Sequence, residues 1–195
     1  MKKILISLAF AAAAAVSAFG QIGVGVGYMN KNELTATKGG SSSNIDYGGF
    51  YAGVDYTLPI SGAFSVTPGV VLSFPAHKEE LLGVSSTTSE TYLDVPVMFN
   101  YGFKLAGIIG IYPYAGPTLS LGLASKTKTG SYSVDNYKES DYNRFDLMIG
   151  GGVALVLTDM VRVSVGYNYG LLDLNKSELL TIHNNGIHFG VAYLF

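Results

Sequence analysis

Apolar side chains alternate with small or polar ones through most of this chain. The clearest run spans residues 185–195, where Ile187, Phe189, Val191, Tyr193 and Phe195 share one face. His188, Gly190 and Ala192 share the other, with Leu194 the one exception. A period of two is that of a β-strand whose faces meet different surroundings. Alternation and turn chemistry together predict eight strands, at residues 21–30, 46–58, 63–74, 90–103, 108–124, 142–157, 160–172 and 185–195. Long connections (31–45, 75–89, 125–141 and 173–184) alternate with short ones (59–62, 104–107 and 158–159). Within the second long connection, residues 79–84 are expected to form one helical turn.

One face of each strand is almost wholly apolar. It carries Ile22, Val24, Val26 and Tyr28 on the first strand, Phe50, Ala52, Val54, Tyr56 and Leu58 on the second, and Phe64, Val66, Val70, Leu72 and Phe74 on the third. The fourth offers Leu93, Val95, Val97, Phe99, Tyr101 and Phe103, and the seventh Val161, Val163, Val165, Tyr167 and Tyr169. The opposite faces hold glycine, amides and charges, the reverse of a soluble barrel filled with apolar side chains. Past the first twenty residues no apolar run approaches a transmembrane helix. A sheet that spans a bilayer must close, because lipid offers nothing to unpaired backbone groups. The expected fold is therefore all-β, an eight-stranded antiparallel transmembrane β-barrel with short periplasmic turns and long extracellular loops. Both termini are then periplasmic in a bacterial outer membrane. Aromatics gather at strand ends: Tyr56, Phe64, Tyr101, Phe103, Tyr193 and Phe195 would form a periplasmic girdle, and Tyr28, Phe50, Phe74, Phe145 and Tyr169 an outer one.

The start of the chain supports this address. Lys2 and Lys3 precede an apolar run over 4–16 and small residues over 17–20, the pattern of a cleaved signal peptide. Residues 1–20 are expected to be removed, leaving a barrel domain of residues 21–195. A spanning helix would need roughly 20 apolar residues. The chain has no cysteine, which excludes disulfides, lipidation at cysteine and thiolate metal sites. Only 13% of residues are charged, with 25 glycines and 14 tyrosines, as suits a membrane barrel. A net charge of −2 gives no basic footprint for nucleic acid.

Pro96, Pro113 and Pro117 lie inside predicted strands, where each removes a ladder donor, so bulges or frayed pairing are expected there.

Several segments together carry a family likeness. Tyr92, Leu93, Asp94, Val95, Pro96 and Val97 are followed by Pro113, Tyr114, Ala115, Gly116 and Pro117. Next come Asn143, Arg144, Phe145 and Asp146 leading into Gly150, Gly151 and Gly152, then Gly166, Tyr167, Asn168, Tyr169, Gly170 and Leu171. In order and spacing these segments resemble the PorT-like outer-membrane β-barrel family of Bacteroidetes-type bacteria, over most of the chain. The resemblance implies an outer-membrane barrel and makes Pro96 an expected feature. The family's namesake is associated with protein secretion, and nothing in these residues ties the chain to that role.

An eight-stranded barrel is just wide enough to be filled by its own side chains. Asp55, Asp94, Arg144, Asp146, Arg162 and His188 are the inward charged positions. Asp94, Arg144, Asp146 and His188 are expected toward the extracellular half, and Asp55 with Arg162 toward the periplasmic mouth, as two clusters of ion pairs plugging the lumen. A catalytic reading would use Asp94, Asp146 and His188 as acid–base groups, with Ser164 a poor nucleophile. Any filled barrel must pair its inward charges, so the structural reading is preferred and no enzyme activity is expected. Gly23, Gly25 and Gly27 lie within a strand with no helix following, which is not a dinucleotide fingerprint. His183 and His188 differ in strand parity and His77 is distant, so no metal site or cofactor is expected. Asn175, Lys176 and Ser177 match a glycosylation sequon that is given no role.

The loops are the expected functional surface. Tyr132, Tyr137 and Tyr142 interleave with Lys126, Lys128, Asp135, Lys138 and Glu139. Tyr132, Tyr137 and Lys138 are the candidate contacts for a glycan or protein. The expected partners are outer-membrane lipid and lipopolysaccharide, the barrel-assembly machinery through the last strand ending at Phe195, and an extracellular or periplasmic protein. The preferred function is structural or interactive, with a plugged lumen. The alternatives are a narrow pore for small solutes and association with protein secretion.

Overall fold

The computed structural model describes residues 20–37, 42–81, 83–105, 109–139, 143–175 and 180–195. The expected signal peptide, apart from Gly20, lies outside the described residues, as do Tyr142, Lys176 and Ser177. The elements are β1 (Gln21–Thr37), β2 (Ser42–Ser61), β3 (Phe64–Leu81), β4 (Val84–Tyr101), β5 (Phe103–Leu105), β6 (Ile109–Thr129), β7 (Tyr132–Asp135), the one-turn helix α1 (Asn136–Glu139), β8 (Phe145–Leu157), β9 (Val161–Gly170) and β10 (Leu180–Leu194).

Eight of these strands form one antiparallel ring. Neighbours run β4, β3, β2, β1, β10, β9, β8 and β6, and pairing of β4 with β6 closes the circle. β5 continues the line of β4 past Gly102 and pairs with the start of β6, while β7 pairs with the end of β6. Closure leaves the apolar faces outward. Val26, Phe50, Phe74, Phe99 and Phe189 are all at least half exposed. The inward faces approach so closely that some positions have no room for a side chain. A Cβ on Gly27 would strike the Phe189 carbonyl and the Tyr51 ring.

Gln21 and Phe195 lie at one end with the tight turns at Gly62 and at Thr158–Asp159, here called the terminal end. At the other, far end the strands are longer than the alternation of apolar residues suggests. Stretches expected as loops, 31–45 and 75–89, are largely ladder: Lys31 pairs with Tyr47 and Gly186, and Lys78 with Thr87. Above Gly48–Ala76, β2 and β3 cease to pair, so two arms rise from this end. One is made of β10, β1 and β2, the other of β3, β4, β6 and β7. The described residues of 79–84 form no helical turn: β3 runs to Leu81 and β4 starts at Val84, with Gly83 at φ +80° before it. The helical turn lies instead at α1.

Pro96, Pro113 and Pro117 leave the register of the ladder in place, and the first and last of them fray it. Pairing of β3 with β4 passes from Pro68–Val97 to Val71–Asp94, skipping Pro96. Pairing of β4 with β6 passes from Pro96–Thr118 to Phe99–Ala115, skipping Pro117. Pro113 keeps its place opposite Val153. The register does shift elsewhere, between Thr91–Ala124 and Tyr92–Gly122. One extra residue in β6 reverses which face each later residue presents. Ser120 and Gly122 face inward before the bulge, Ser125 and Thr127 after it, and Lys126 and Lys128 turn outward.

Candidate functional site

Polar groups occupy the lumen in three tiers. At the terminal mouth, β2 supplies Asp55 and β9 supplies Arg162, which meet as a two-pronged ion pair; the Nη1–Oδ1 limb is 3.1 Å and the Nη2–Oδ2 limb is shorter. Guanidinium and carboxylate geometry match in such a fork. The outward aromatics at this end are stacked edge to face. Phe64 and Tyr101, and Tyr101 and Phe103, have ring centroids 4.7 Å apart, and Tyr193 and Phe195 4.8 Å. Tyr56 sits on the same outward face, half-buried.

The middle tier contains Asp94 and His188. Asp94 accepts hydrogen bonds from Ser73 Oγ at 2.9 Å and from Ser120 Oγ. His188 Nε2 is 3.0 Å from the Tyr114 hydroxyl and its ring meets Tyr51 edge-on at 6.4 Å. A cavity of about 210 Å³ extends from the Asp55–Arg162 pair to this tier. A smaller one of about 60 Å³ continues toward Lys31 and Tyr92, and Asp94, Asn168 and His188 line both.

The far tier is the most densely buried. Lys31 Nζ contacts Glu90 and lies 3.7 Å from Glu33, with side chains 6%, 4% and 12% exposed. The Tyr92 hydroxyl is 3.1 Å from Lys31 and donates to Glu90 at 3.0 Å, and Ser125 Oγ donates to the other Glu90 oxygen at 3.2 Å. The ammonium also sits 4.3 Å from the Tyr47 ring centroid. Lys31 and Glu33 fall outside the inward charges expected from sequence because they lie in a polar stretch that reads as loop, and Glu90, at the first position of the predicted fourth strand, is not among those charges either. Strand parity was the available signal: Lys31 and Glu33 continue the inward series Gly27, Met29, and Glu90 precedes Tyr92 by one step of two.

A loop residue completes this tier. Asn136 Nδ2 donates to Ser125 Oγ at 2.9 Å and to Thr127 Oγ1 at 3.0 Å, pinning α1 against the inner wall of β6. Tyr137 then reaches into the mouth over Gly122, where an added Cβ would collide with its hydroxyl. Burial pushes the Tyr137 phenol up to about 12, Glu90 adds to the rise, and Tyr92 and Arg144 offset part of it.

The sequence-derived residues are thus only partly brought together. Asp55 meets Arg162. Arg144 is not an ion-pair partner of Asp94 or Asp146; it lies exposed before β8, its guanidinium 4.7 Å from the Tyr137 ring centroid. It precedes the strand proper, so ladder parity does not turn it inward. Asp146 is 3% exposed and accepts the Leu172 N–H at 3.4 Å. Asp94, Asp146 and His188 form no hydrogen-bonded relay with one another among the described interactions. Of the loop contacts, Tyr132 is 83% exposed and the Lys138 side chain 76%, while Tyr137 is turned inward.

Residues 4–195 match the family model described as the outer membrane protein beta-barrel domain. The chain belongs to that family. It is an outer-membrane protein of bacteria, and its ring of eight strands is the family's barrel. Among solved structures it is similar to Neisserial surface protein A, at 17% identity and a TM-score of 0.51, covering 87% of this chain and 96% of that one. It is also similar to Ail, the attachment invasion locus protein of Yersinia pestis, at 16% identity and a TM-score of 0.49, covering 91% and 99%. At such identities the likeness is one of fold. No curated protein matches the chain.

Proposed function

We propose that this protein is a closed, non-catalytic outer-membrane barrel that acts through the two arms at its far end. The observation that carries this reading is the buried layer of Lys31, Glu33, Glu90, Tyr47, Tyr92 and Tyr137 across the far mouth. Paired charges packed among aromatic rings leave little room for a solvated ion to pass, whereas a pore would keep such groups hydrated. The contrast of tight turns at one end with long arms at the other supports placing the arms outside the cell and both termini in the periplasm. Residues 1–20 then act as the export signal, and the strand ending at Phe195 offers itself to the assembly machinery. The motifs around Pro96 and Gly166 to Leu171 support a place in the PorT-like branch. Tyr132 and Lys138, both exposed, are candidate contacts for a protein or glycan.

The cavity of about 210 Å³ favours the second reading, a narrow pore. Single-channel conductance in planar bilayers separates the two, beside a gel that compares heated and unheated samples. A heat-shifted band with silent bilayers is expected. Steady openings would overturn the closed reading and make Asp94 and Arg162 selectivity residues.

A further inference from the structure

Strand register places three lysines on one outward patch of the arm built from β3, β4 and β6. Lys78 and Lys128 flank Thr87 in a single row across the three strands, and Lys126 stands beside Ser89 in the next row down. All three are exposed. The bulge beyond Gly122 decides this arrangement. With unbroken alternation, Lys126 and Lys128 would point into the mouth and the patch would not exist.

Lys138 adds a fourth cation, 3.6 Å from Asp135, the residue paired with Lys126 across β6 and β7. Among the described side chains the opposing carboxylates on this face are Asp135 and Glu80, so described cations outnumber described anions by two. Part of the Asp135 charge is already engaged, since its Oδ1 accepts the Tyr137 N–H at 3.2 Å. The other arm differs. At the same height its outward positions on β1 and β2 are Asn32, Asn44 and Asp46, with no lysine among the described residues.

The height of the patch identifies what it meets. The outward apolar band ends at Phe74 on β3 and Leu123 on β6, both exposed. Lys126 and Lys78 follow three and four residues later. At about 3.3 Å per residue along tilted strands, this is roughly 10 Å above the band. The headgroup zone is about 5–7 Å deep on each side, and lysine side chains at this height reach down to its outer edge by snorkelling. Ser85, Thr87 and Ser89 share the face and add hydroxyl donors, and no aromatic side chain among the described residues of these strands interrupts it.

We infer that this face docks the phosphate groups of the outer-leaflet glycolipid, fixing the barrel to lipopolysaccharide along one side. The inference rests on the orientation proposed above. Each lysine near an anionic surface is worth about fivefold in affinity, so three together give on the order of a hundredfold.

The test uses the protein purified from outer membranes in a neutral detergent, titrated with purified lipopolysaccharide before and after enzymatic removal of its phosphates. The variant K78Q/K126Q/K128Q is expected to bind about a hundredfold more weakly, wild type to lose as much when phosphates are removed, and both losses to shrink in high salt. Asp46→Asn on the other arm is the control and should bind as wild type does. Equal binding by the triple variant, or by the dephosphorylated lipid, would overturn the inference. Orientation is read separately, by labelling an Asn44→Cys variant, exposed on the other arm, on intact cells with a membrane-impermeant maleimide. Absence of label with phosphate-dependent binding intact would defeat the orientation and with it the assignment to the outer leaflet.

Discussion

Lys31 on β1 and Glu90 on β4 are 59 residues apart in sequence and in direct contact across the lumen, each almost fully buried. Glu33 and the Tyr92 hydroxyl complete the shell around the ammonium. Coulomb attraction in so dry a site offsets the loss of hydration only while both partners are present. Removing the cation alone leaves two carboxylates facing each other.

Lys31→Met should therefore lower stability by about 3–5 kcal/mol. The double variant K31M/E90Q should recover most of that loss, because it removes charge from both sides. The urea midpoint of the heat-shifted gel band measures both. A K31M midpoint equal to that of wild type would show that the pair contributes nothing to the fold.

Gly122 and Tyr137 are complementary in the same way. Any Cβ at position 122 would meet the Tyr137 hydroxyl, so Gly122→Ala should push α1 out of the mouth. Overpacking of this kind costs about 1–3 kcal/mol, or about fivefold to a hundredfold in the population of the open loop. Trypsin cleavage after Lys138 in the folded barrel should accelerate by that factor. In a Tyr137→Ala background the same substitution should change the cleavage rate little, since the clash has been removed. Independent effects of the two substitutions would sever the link between them.

The buried phenol of Tyr137 also predicts an alkaline transition. Below its ordinary value of 10.0 the phenol is neutral whether docked or released, and docking keeps its full stability. Between 10.0 and about 12 only the released phenol ionises, so the docked state loses stability steadily as pH rises. Above that window both forms are ionised and the loss is complete. Phenolate absorbance should show the number of late-titrating tyrosines fall by one in Tyr137→Phe. An identical titration curve for the variant would place Tyr137 in solvent.

The lipid-facing half of the fold was legible in the sequence, since Val24, Phe50, Leu72 and Phe189 announce it by apolar alternation. The far ends of the strands were not. There both faces are polar, so Lys31 and Glu33 resemble loop residues although they continue the inward series of β1. The bulge in β6 was equally hidden: nothing in Leu121, Gly122, Leu123 and Ala124 states that the register will slip, yet that slip turns Ser125 inward to Glu90. Asp55 and Arg162 were readable because their strands are unambiguous on both sides. Arg144 was misplaced because it sits one residue before β8 begins, where parity no longer decides direction.

The turn between β8 and β9 stores strain that can be relieved. Thr158 and Asp159 have φ of 52° and 57°, left-handed values that suit Asn and Gly and penalise a β-branched threonine. The Thr158 hydroxyl donates to the Leu157 carbonyl at 2.7 Å, which compensates in part. Replacing the pair by Asn-Gly keeps the β-turn that the Met160 N–H closes on the Leu157 carbonyl at 3.2 Å and lowers the steric penalty at both positions. The variant T158N/D159G should be more stable by about 1 kcal/mol, seen as a higher urea midpoint with an unchanged denaturant slope. Gln21 donates its side-chain amide to the Asp159 carbonyl at 3.0 Å, a bond to backbone that the substitution preserves. A lower midpoint would mean that the threonine hydroxyl outweighs the strain, and a changed slope would mean that the hairpin itself had been remade.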